Sequence, residues 1–158
     1  MVPQLSPGKR SLRRSDECTV KVKVKSVKSQ ENQSQQYGKN KIKSYQDLVV
    51  WQRSHKLAIE LYRLSKLKKK SFADWEIWKQ ILSAAFSVPA NIAEGFHSHR
   101  GRNFASHLEI SRGSAGETDY WTLVLVEMRQ IDKTTGENLR GECQQIIAML
   151  TGLINKLR

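Results

Sequence analysis

The sequence predicts an all-α protein: an antiparallel, up-down-up-down four-helix bundle over residues 45–158, preceded by a basic, disordered tail over residues 1–44. Three observations carry this expectation. Apolar residues recur at spacings of three and four through most of residues 45–158. Three cap patterns, Ser44-x-x-Asp47, Ser71-x-x-Asp74 and Thr134-x-x-Glu137, each stand before such a stretch. After residue 44 there is no strand pattern. Short connections then force successive helices antiparallel.

The first helix is expected from about Tyr45 to Leu67, with Val50, Leu57, Leu61 and Leu64 on its apolar side. The second runs from about Phe72 to Glu94 on a stripe of Trp78, Ile81, Ala85, Val88 and Ile92, with Gly95 as its C-cap. Pro89 lies inside it. Proline removes one N–H and frees the carbonyl of Ala85, so a kink is expected, but the apolar register continues through it. The third helix, about Gly101 to Arg129, keeps an unbroken stripe of Phe104, Leu108, Ser111, Ala115, Thr118, Thr122 and Leu125. Its middle is small: Ser111, Gly113, Ser114, Ala115 and Gly116. Glycine costs about 1 kcal/mol in a helix interior, so close approach of another backbone is expected there. The fourth helix, about Gly136 to Leu157, buries Leu139, Cys143, Ile146, Met149 or Leu150, and Leu153 or Ile154.

Charge is unevenly spread. The 158-residue chain carries a net +12 and a mean hydropathy of −0.56. Residues 1–44 hold 11 Lys/Arg and 3 acids; residues 45–158 hold 16 and 12. The first segment has no Trp or Phe, so it cannot bury enough apolar surface to offset the entropy of ordering. Only Val20, Val22 and Val24, alternating with Lys21, Lys23 and Lys25, read as a strand, and that strand has no partner. No run approaches the length of a membrane span and no apolar stretch marks a secretory signal, so a cytoplasmic location is expected. Two cysteines, Cys18 and Cys143, make no disulfide framework, and Cys143 reads as helix filler.

Three motifs are distinctive. Asp47-Leu48-Val49-Val50-Trp51-Gln52 opens the first helix. Residues 80–95 end in Ser87-Val88-Pro89-Ala90-Asn91-Ile92-Ala93-Glu94-Gly95. Gly113-Ser114-Ala115-Gly116-Glu117-Thr118-Asp119-Tyr120-Trp121 lies in the third helix. Together they resemble the four-helix-bundle family encoded by intervening sequences within bacterial 23S rRNA genes, to which the accessory variability determinants of diversity-generating retroelements are related. The resemblance spans roughly residues 44–158. It implies an antiparallel bundle assembling as a ring, typically a homopentamer, with a non-enzymatic role in binding RNA or DNA. In the retroelement relatives the ring also binds the reverse transcriptase. Many relatives carry a basic residue where Ser83 stands, and the basic tail is extra.

The candidate nucleic-acid contacts are cations, because each Lys or Arg near a phosphate releases condensed counterion without reading sequence. In the tail they are Lys9, Arg10, Arg13, Arg14, Lys21, Lys23, Lys25 and Lys28. Arg53, Lys56 and Arg63 form a stripe on the first helix, interrupted by Glu60; such a stripe also serves as an ordinary solvated face. Lys66, Lys68, Lys69 and Lys70 end that helix and its connection, where cations also complement the dipole. Arg100 and Arg102 sit in the connector His97-Ser98-His99-Arg100-Gly101-Arg102. His97, His99 and His107 do not supply a closed metal-ligand set. Asn91, Glu94, Glu117 and Asp119 read as structural: Asn91 satisfying carbonyls freed by Pro89, Glu117 pairing across helices. Trp51, Trp75, Trp78 and Trp121 read as core or ring interface. The chain has a single Glu-x-x-His, Glu94-x-x-His97, where metal bundles carry one on each of two helices, so neither an enzyme nor a cofactor is expected. The alternative to nucleic-acid binding is a scaffold for an acidic protein partner.

Overall fold

A computed structural model describes residues 42–67, 71–98 and 102–158. The readings made of residues 1–41, including the valine alternation, lie outside them. The described chain is an all-α four-helix bundle: a 3-10 turn at Tyr45–Asp47, then α1 (Val49–Ser65), α2 (Phe72–Ser98), α3 (Arg102–Glu127) and α4 (Lys133–Leu157). The most extensive packing runs from α2 to α3 and from α3 to α4; α1 lies on α2 and touches α4 more lightly.

The expected apolar stripes are the core. Val50, Leu57 and Leu61 of α1 are buried, with Leu64 packed against them. So are Trp78, Ile81, Ala85, Val88 and Ile92 of α2, and Leu139, Cys143, Ile146, Leu150 and Ile154 of α4. In α3 the polar members of the stripe are buried too: Ser111, Thr118 and Thr122 are 0% exposed. A buried hydroxyl without a partner is costly. Thr118 donates to the Ser114 carbonyl (2.8 Å) and Thr122 to the Thr118 carbonyl (2.7 Å). The Ser111 hydroxyl reaches two carbonyls, Val88 on α2 (3.1 Å) and His107 on its own helix (3.0 Å).

The helix starts follow side-chain caps, with two corrections. Asp47 accepts from the Lys43 and Ser44 N–H groups (2.9 Å each), which hold its carboxyl below the usual range, and Ser44 Oγ accepts from Gln46 N–H. This box closes a 3-10 turn, so α1 begins at Val49 rather than Tyr45. Ser71 and Asp74 make the same reciprocal pair before α2. The start of α4 differs from the expected Thr134 cap. Asp132 accepts from Thr135 N–H (2.9 Å) and Thr135 Oγ1 (2.6 Å), lowering its pKa, and the helix begins at Lys133, three residues before Gly136. A carboxylate is the stronger acceptor for the free N–H groups of a first turn, and its charge suits the dipole.

Gly95 is not a C-cap. It lies buried inside α2, which continues to Ser98. A Cβ on Gly95 would stand 2.5 Å from the His107 Cβ and 2.9 Å from the Phe104 ring. The next residue, Phe96, meets Phe104 edge-on at 6.2 Å and Tyr45 at 6.4 Å. These contacts carry the helix one turn further. The expected close approach at the centre of α3 is made by its serines, Ser111 at the Val88 carbonyl and Ser114 at the Ser87 hydroxyl, and not by its glycines. Gly113 and Gly116 face open space, whereas Gly95 and Gly136 are the points of near contact; a Cβ on Gly136 would be 2.2 Å from Val126 Cγ2. At the end of α3 the left-handed position is filled by Arg129 (φ 55°). There Arg129 N–H donates to the Val126 carbonyl and Gln130 N–H to the Leu125 carbonyl, a Schellman closure without glycine.

Around Pro89 the helix is continuous, and Asn91 does not serve the carbonyl of Ala85. Its amide donates to the Ser87 carbonyl (2.9 Å) and Ser87 Oγ (3.0 Å), and Ser114 Oγ donates to that same Ser87 hydroxyl (3.2 Å). The amide is one turn from Ser87 and so out of reach of Ala85.

Two outcomes follow from this packing. Gly95→Ala should lose at least about 1 kcal/mol in urea denaturation, since overpacking outweighs the gain in helix propensity. Gly141→Ala, whose new methyl meets nothing within 4 Å, should gain about 0.5–1 kcal/mol. Equal effects at the two sites would contradict the close approach. The second outcome concerns Cys143. Burial, with Asp119 and Glu142 nearby, pushes its thiol up to about 12 from 9.0. Between those values the unfolded chain releases a proton that the folded one keeps, so stability is full below pH 9 and falls as pH rises. Denaturation between pH 8.5 and 10.5 should show a steeper loss in the native protein than in Cys143→Ala, by up to about 1.4 kcal/mol per pH unit.

Candidate nucleic-acid interface

Of the candidate cations, Arg53, Lys56 and Arg63 are described with their side chains. Arg102 opens α3. Lys9, Arg10, Arg13, Arg14, Lys21, Lys23, Lys25, Lys28, Lys68, Lys69, Lys70 and Arg100 lie outside the described residues.

The stripe on α1 divides by neighbour. Arg53 stands on the flank that α4 covers. Its Nη2 donates to both carboxylate oxygens of Glu142 at 2.8 Å and reaches Gln145 Oε1, while its Nε is buried. That guanidinium is engaged in joining α1 to α4. Lys56 and Arg63 stand exposed on the outer face, with no acid at ion-pair distance among the described residues. Lys66, one residue beyond α1, sits 5.0 Å from the centre of the Tyr62 ring.

The family-matching polar residues are structural in a different pattern from the one expected. Glu117 accepts from Trp121 Nε1 (3.2 Å) on its own helix rather than pairing across helices. Asp119 makes the cross-helix link: it accepts from Arg140 Nε at 2.8 Å and from Gln144 at 3.3 Å on α4. The hydrogen bond to Asp119 raises the Arg140 pKa further. Glu94 is exposed. Among the described residues, no group of three or more His, Cys, Asp or Glu could hold a metal ion, and no helix is long and apolar enough to cross a membrane. Cys143, buried with its thiol near 12, is not poised as a nucleophile. A shallow depression lies beside Asn103, Ala105, Ser106, Leu157 and Arg158, and Arg158 is paired there with Glu109.

The aromatic residues separate into two ends. At one, Tyr45, Trp51, Phe96 and Phe104 interlock by edge contacts, and His55 stacks on Trp51 at 4.9 Å. At the other, Phe72 is 81% exposed and Trp75 40%. Of the four tryptophans only Trp78 is fully buried; Trp51 and Trp121 are half-buried against the core. Trp75 therefore departs from the core reading. The sequence did hold the signal. Stepping back from Trp78 in the alternation of four and three gives Asp74 and Ser71, leaving Phe72 and Trp75 off the buried stripe.

Comparison with known proteins agrees with the bundle and its motifs. None of the curated proteins matches this chain. Among solved structures, a protein of unknown function from the S23 ribosomal protein family of Bacteroides thetaiotaomicron, determined at 1.70 Å, superposes with a TM-score of 0.63 and 27% identity. The match covers 68% of this chain and 96% of that one. The family profile of the 23S rRNA-intervening sequence proteins matches residues 46–152, taking in α1, α2, α3, most of α4 and the three motifs. This chain belongs to the family of 23S rRNA-intervening sequence proteins.

Proposed function

We propose that the protein is a non-enzymatic, self-associating nucleic-acid-binding bundle. The observation that carries this reading is the charge. The chain bears +12, and residues 1–44 hold 11 of its 27 Lys/Arg against 3 of its 15 acids. Within the bundle many acids are already engaged: Asp47, Asp74 and Asp132 in caps, Glu76, Glu109, Asp119, Glu137 and Glu142 in ion pairs. Exposed Lys56 and Arg63 are left to an outside anion. A polyanion gains most from such an arrangement, because every neutralised phosphate frees a counterion.

Self-association is supported by the outer face of α2 and α3. Phe86, Ile110, Tyr120 and Leu123 are exposed there, and Gly113 and Gly116 leave the α3 backbone uncovered. The number five comes from the family resemblance. Sedimentation at micromolar concentration should show an oligomer, and an 18.1 kDa monomer alone would overturn this part. The second reading, a scaffold for an acidic protein partner, rests on the same excess of positive charge. The finer form of the first is the accessory protein of a diversity-generating retroelement, with a reverse transcriptase among its partners. A template repeat and a reverse transcriptase gene beside this one would support that form.

The test is salt-dependent binding to one duplex and one single strand, for the full chain and for a chain starting at Ile42, which keeps the Ser44 cap. If about four tail cations touch phosphate, the log–log salt slope should fall by about three to four units in the shorter chain. Sequence discrimination should barely change, because phosphate contacts position rather than specify. Equal slopes would move the contact to the bundle, with Lys56, Arg63, Arg100 and Arg102 the next candidates. No binding to either probe by the full chain would favour the scaffold.

A further inference from the structure

We infer that the protein assembles head to tail, with the basic outer face of α1 on one copy docked on the acidic, partly apolar outer face of α3 on the next. This rests on the self-association read above and names what covers that face.

The two faces stand on different sides of one bundle, because α1 packs on α2 and α4 but not on α3. Along α1, Gln52, Lys56, Ile59, Arg63 and Lys66 fall within an arc of about 80° at about 100° per residue. Lys56, Arg63 and Lys66 are exposed, with no acid at ion-pair distance among the described residues. Glu60 lies seven residues from Arg53 and so on the flank toward α4. Along α3, Gly116, Glu117, Tyr120, Leu123 and Glu127 fall within about 120°. Glu117 and Glu127 are exposed, with no cation at ion-pair distance among the described residues. The indole N–H that Glu117 accepts leaves its charge uncompensated. Arg112, seven residues before Asp119, stands with it on the flank toward α4.

The two faces also match in spacing. Lys56 and Lys66 are ten residues apart, as are Glu117 and Glu127, about 15 Å along a helix. In an up-down-up-down bundle α1 and α3 run the same way, so a second copy in the same orientation lays its α3 parallel to α1. With Lys56 opposite Glu117, Lys66 comes opposite Glu127. Ile59 and Tyr62, three and six residues on, then come opposite Tyr120 and Leu123, also three and six on. Tyr62 is 44% exposed and Tyr120 57%, so both rings have surface to bury. An apolar centre with complementary charges at its ends buries area and fixes register.

A polyanion or an anionic membrane would suit α1 and be repelled by α3. A second copy satisfies both faces at once. Because the faces differ, each copy added leaves one of each open until a ring closes. Lys56 and Lys66 then meet carboxylates, and the cations left for nucleic acid are chiefly those of residues 1–44, which carry the nucleic-acid reading.

The experiment is sedimentation velocity of the full chain over micromolar concentrations, with helix content followed by circular dichroism. Lys56→Glu/Lys66→Glu should assemble at least about tenfold more weakly than the native protein, although it lowers the net charge and with it the general repulsion between copies. Glu117→Lys/Glu127→Lys should weaken assembly by a similar factor. The four substitutions together recreate both pairs with the net charge unchanged, and assembly should return to within about threefold of the native protein. Lys and Glu are comparable helix formers and all four positions are exposed, so helix content should not move. For the native chain, raising salt from about 50 to 500 mM should weaken assembly at least about threefold. Assembly unchanged in Lys56→Glu/Lys66→Glu, which a contact of the α3 face with itself would give, overturns the pairing and leaves self-association intact. So does assembly that is indifferent to salt, or that the fourfold variant does not restore. Loss of affinity for a duplex in Lys56→Glu/Lys66→Glu with assembly unchanged would give these lysines to nucleic acid instead. A native chain that sediments only as the 18.1 kDa monomer would overturn both the pairing and self-association.

Discussion

The seam between α2 and α3 sets the rest of the structure. Gly95 admits His107 and Phe104, Ser111 reaches the Val88 carbonyl, and Ser114 reaches Ser87. These contacts step in opposite directions along the two helices, as an antiparallel pair requires. Backbones this close leave no room for large side chains between them, so the seam is built from glycine, serine and alanine. Small side chains bury little apolar area, and the apolar bulk comes from elsewhere: Trp78, Ile81 and Ile92 on α2, Leu108 and Leu125 on α3. Gly136 repeats the device against Val126, and α4 docks on α3. Helix α1 then covers the remaining apolar face.

Close packing also decides where polarity goes. Ser111, Thr118 and Thr122 occupy core positions, and each finds a carbonyl within one turn or across the seam. Such local bonds let hydroxyls fill space that a methyl would fill, at little cost in unmet hydrogen bonding. Cys143 is the counterpart on α4, small and neutral because burial opposes its thiolate. Pro89 belongs to the same logic. It is buried in a helix whose neighbouring groups are bonded outward to α3, so that the ladder it interrupts is reinforced from outside.

The apolar periodicity was legible because it depends on a helix alone: every stripe residue named from α3 is buried or packed on the core. What was not legible depends on a second helix. Gly95 and Gly113 look alike in sequence, one near a helix end and one within. The facing His107 and Phe104 leave no room for a side chain at the first, and nothing among the described residues stands within 4 Å of one at the second. Arg53 and Lys56 look like one stripe. A rotation of about 60° between them puts Arg53 on the flank beside Glu142 and leaves Lys56 in solvent. Asp132 and Thr134 both carry a side-chain oxygen suited to a cap, and the choice turns on which backbone N–H groups are free. Trp75 is separable from the core by register alone, but an aromatic residue near a helical stripe is readily counted into it.

The division of charge explains how one small bundle could grip a polymer without reading it. Exposed ion pairs such as Lys79–Glu76 and Lys133–Glu137 contribute little to stability, because solvent screens them and ordering two long side chains costs entropy. Stability is carried by the core, which frees the surface cations for partners. Cations supply long-range attraction that falls with salt. Repetition around an oligomer would raise it, because each further contact is made at high effective concentration.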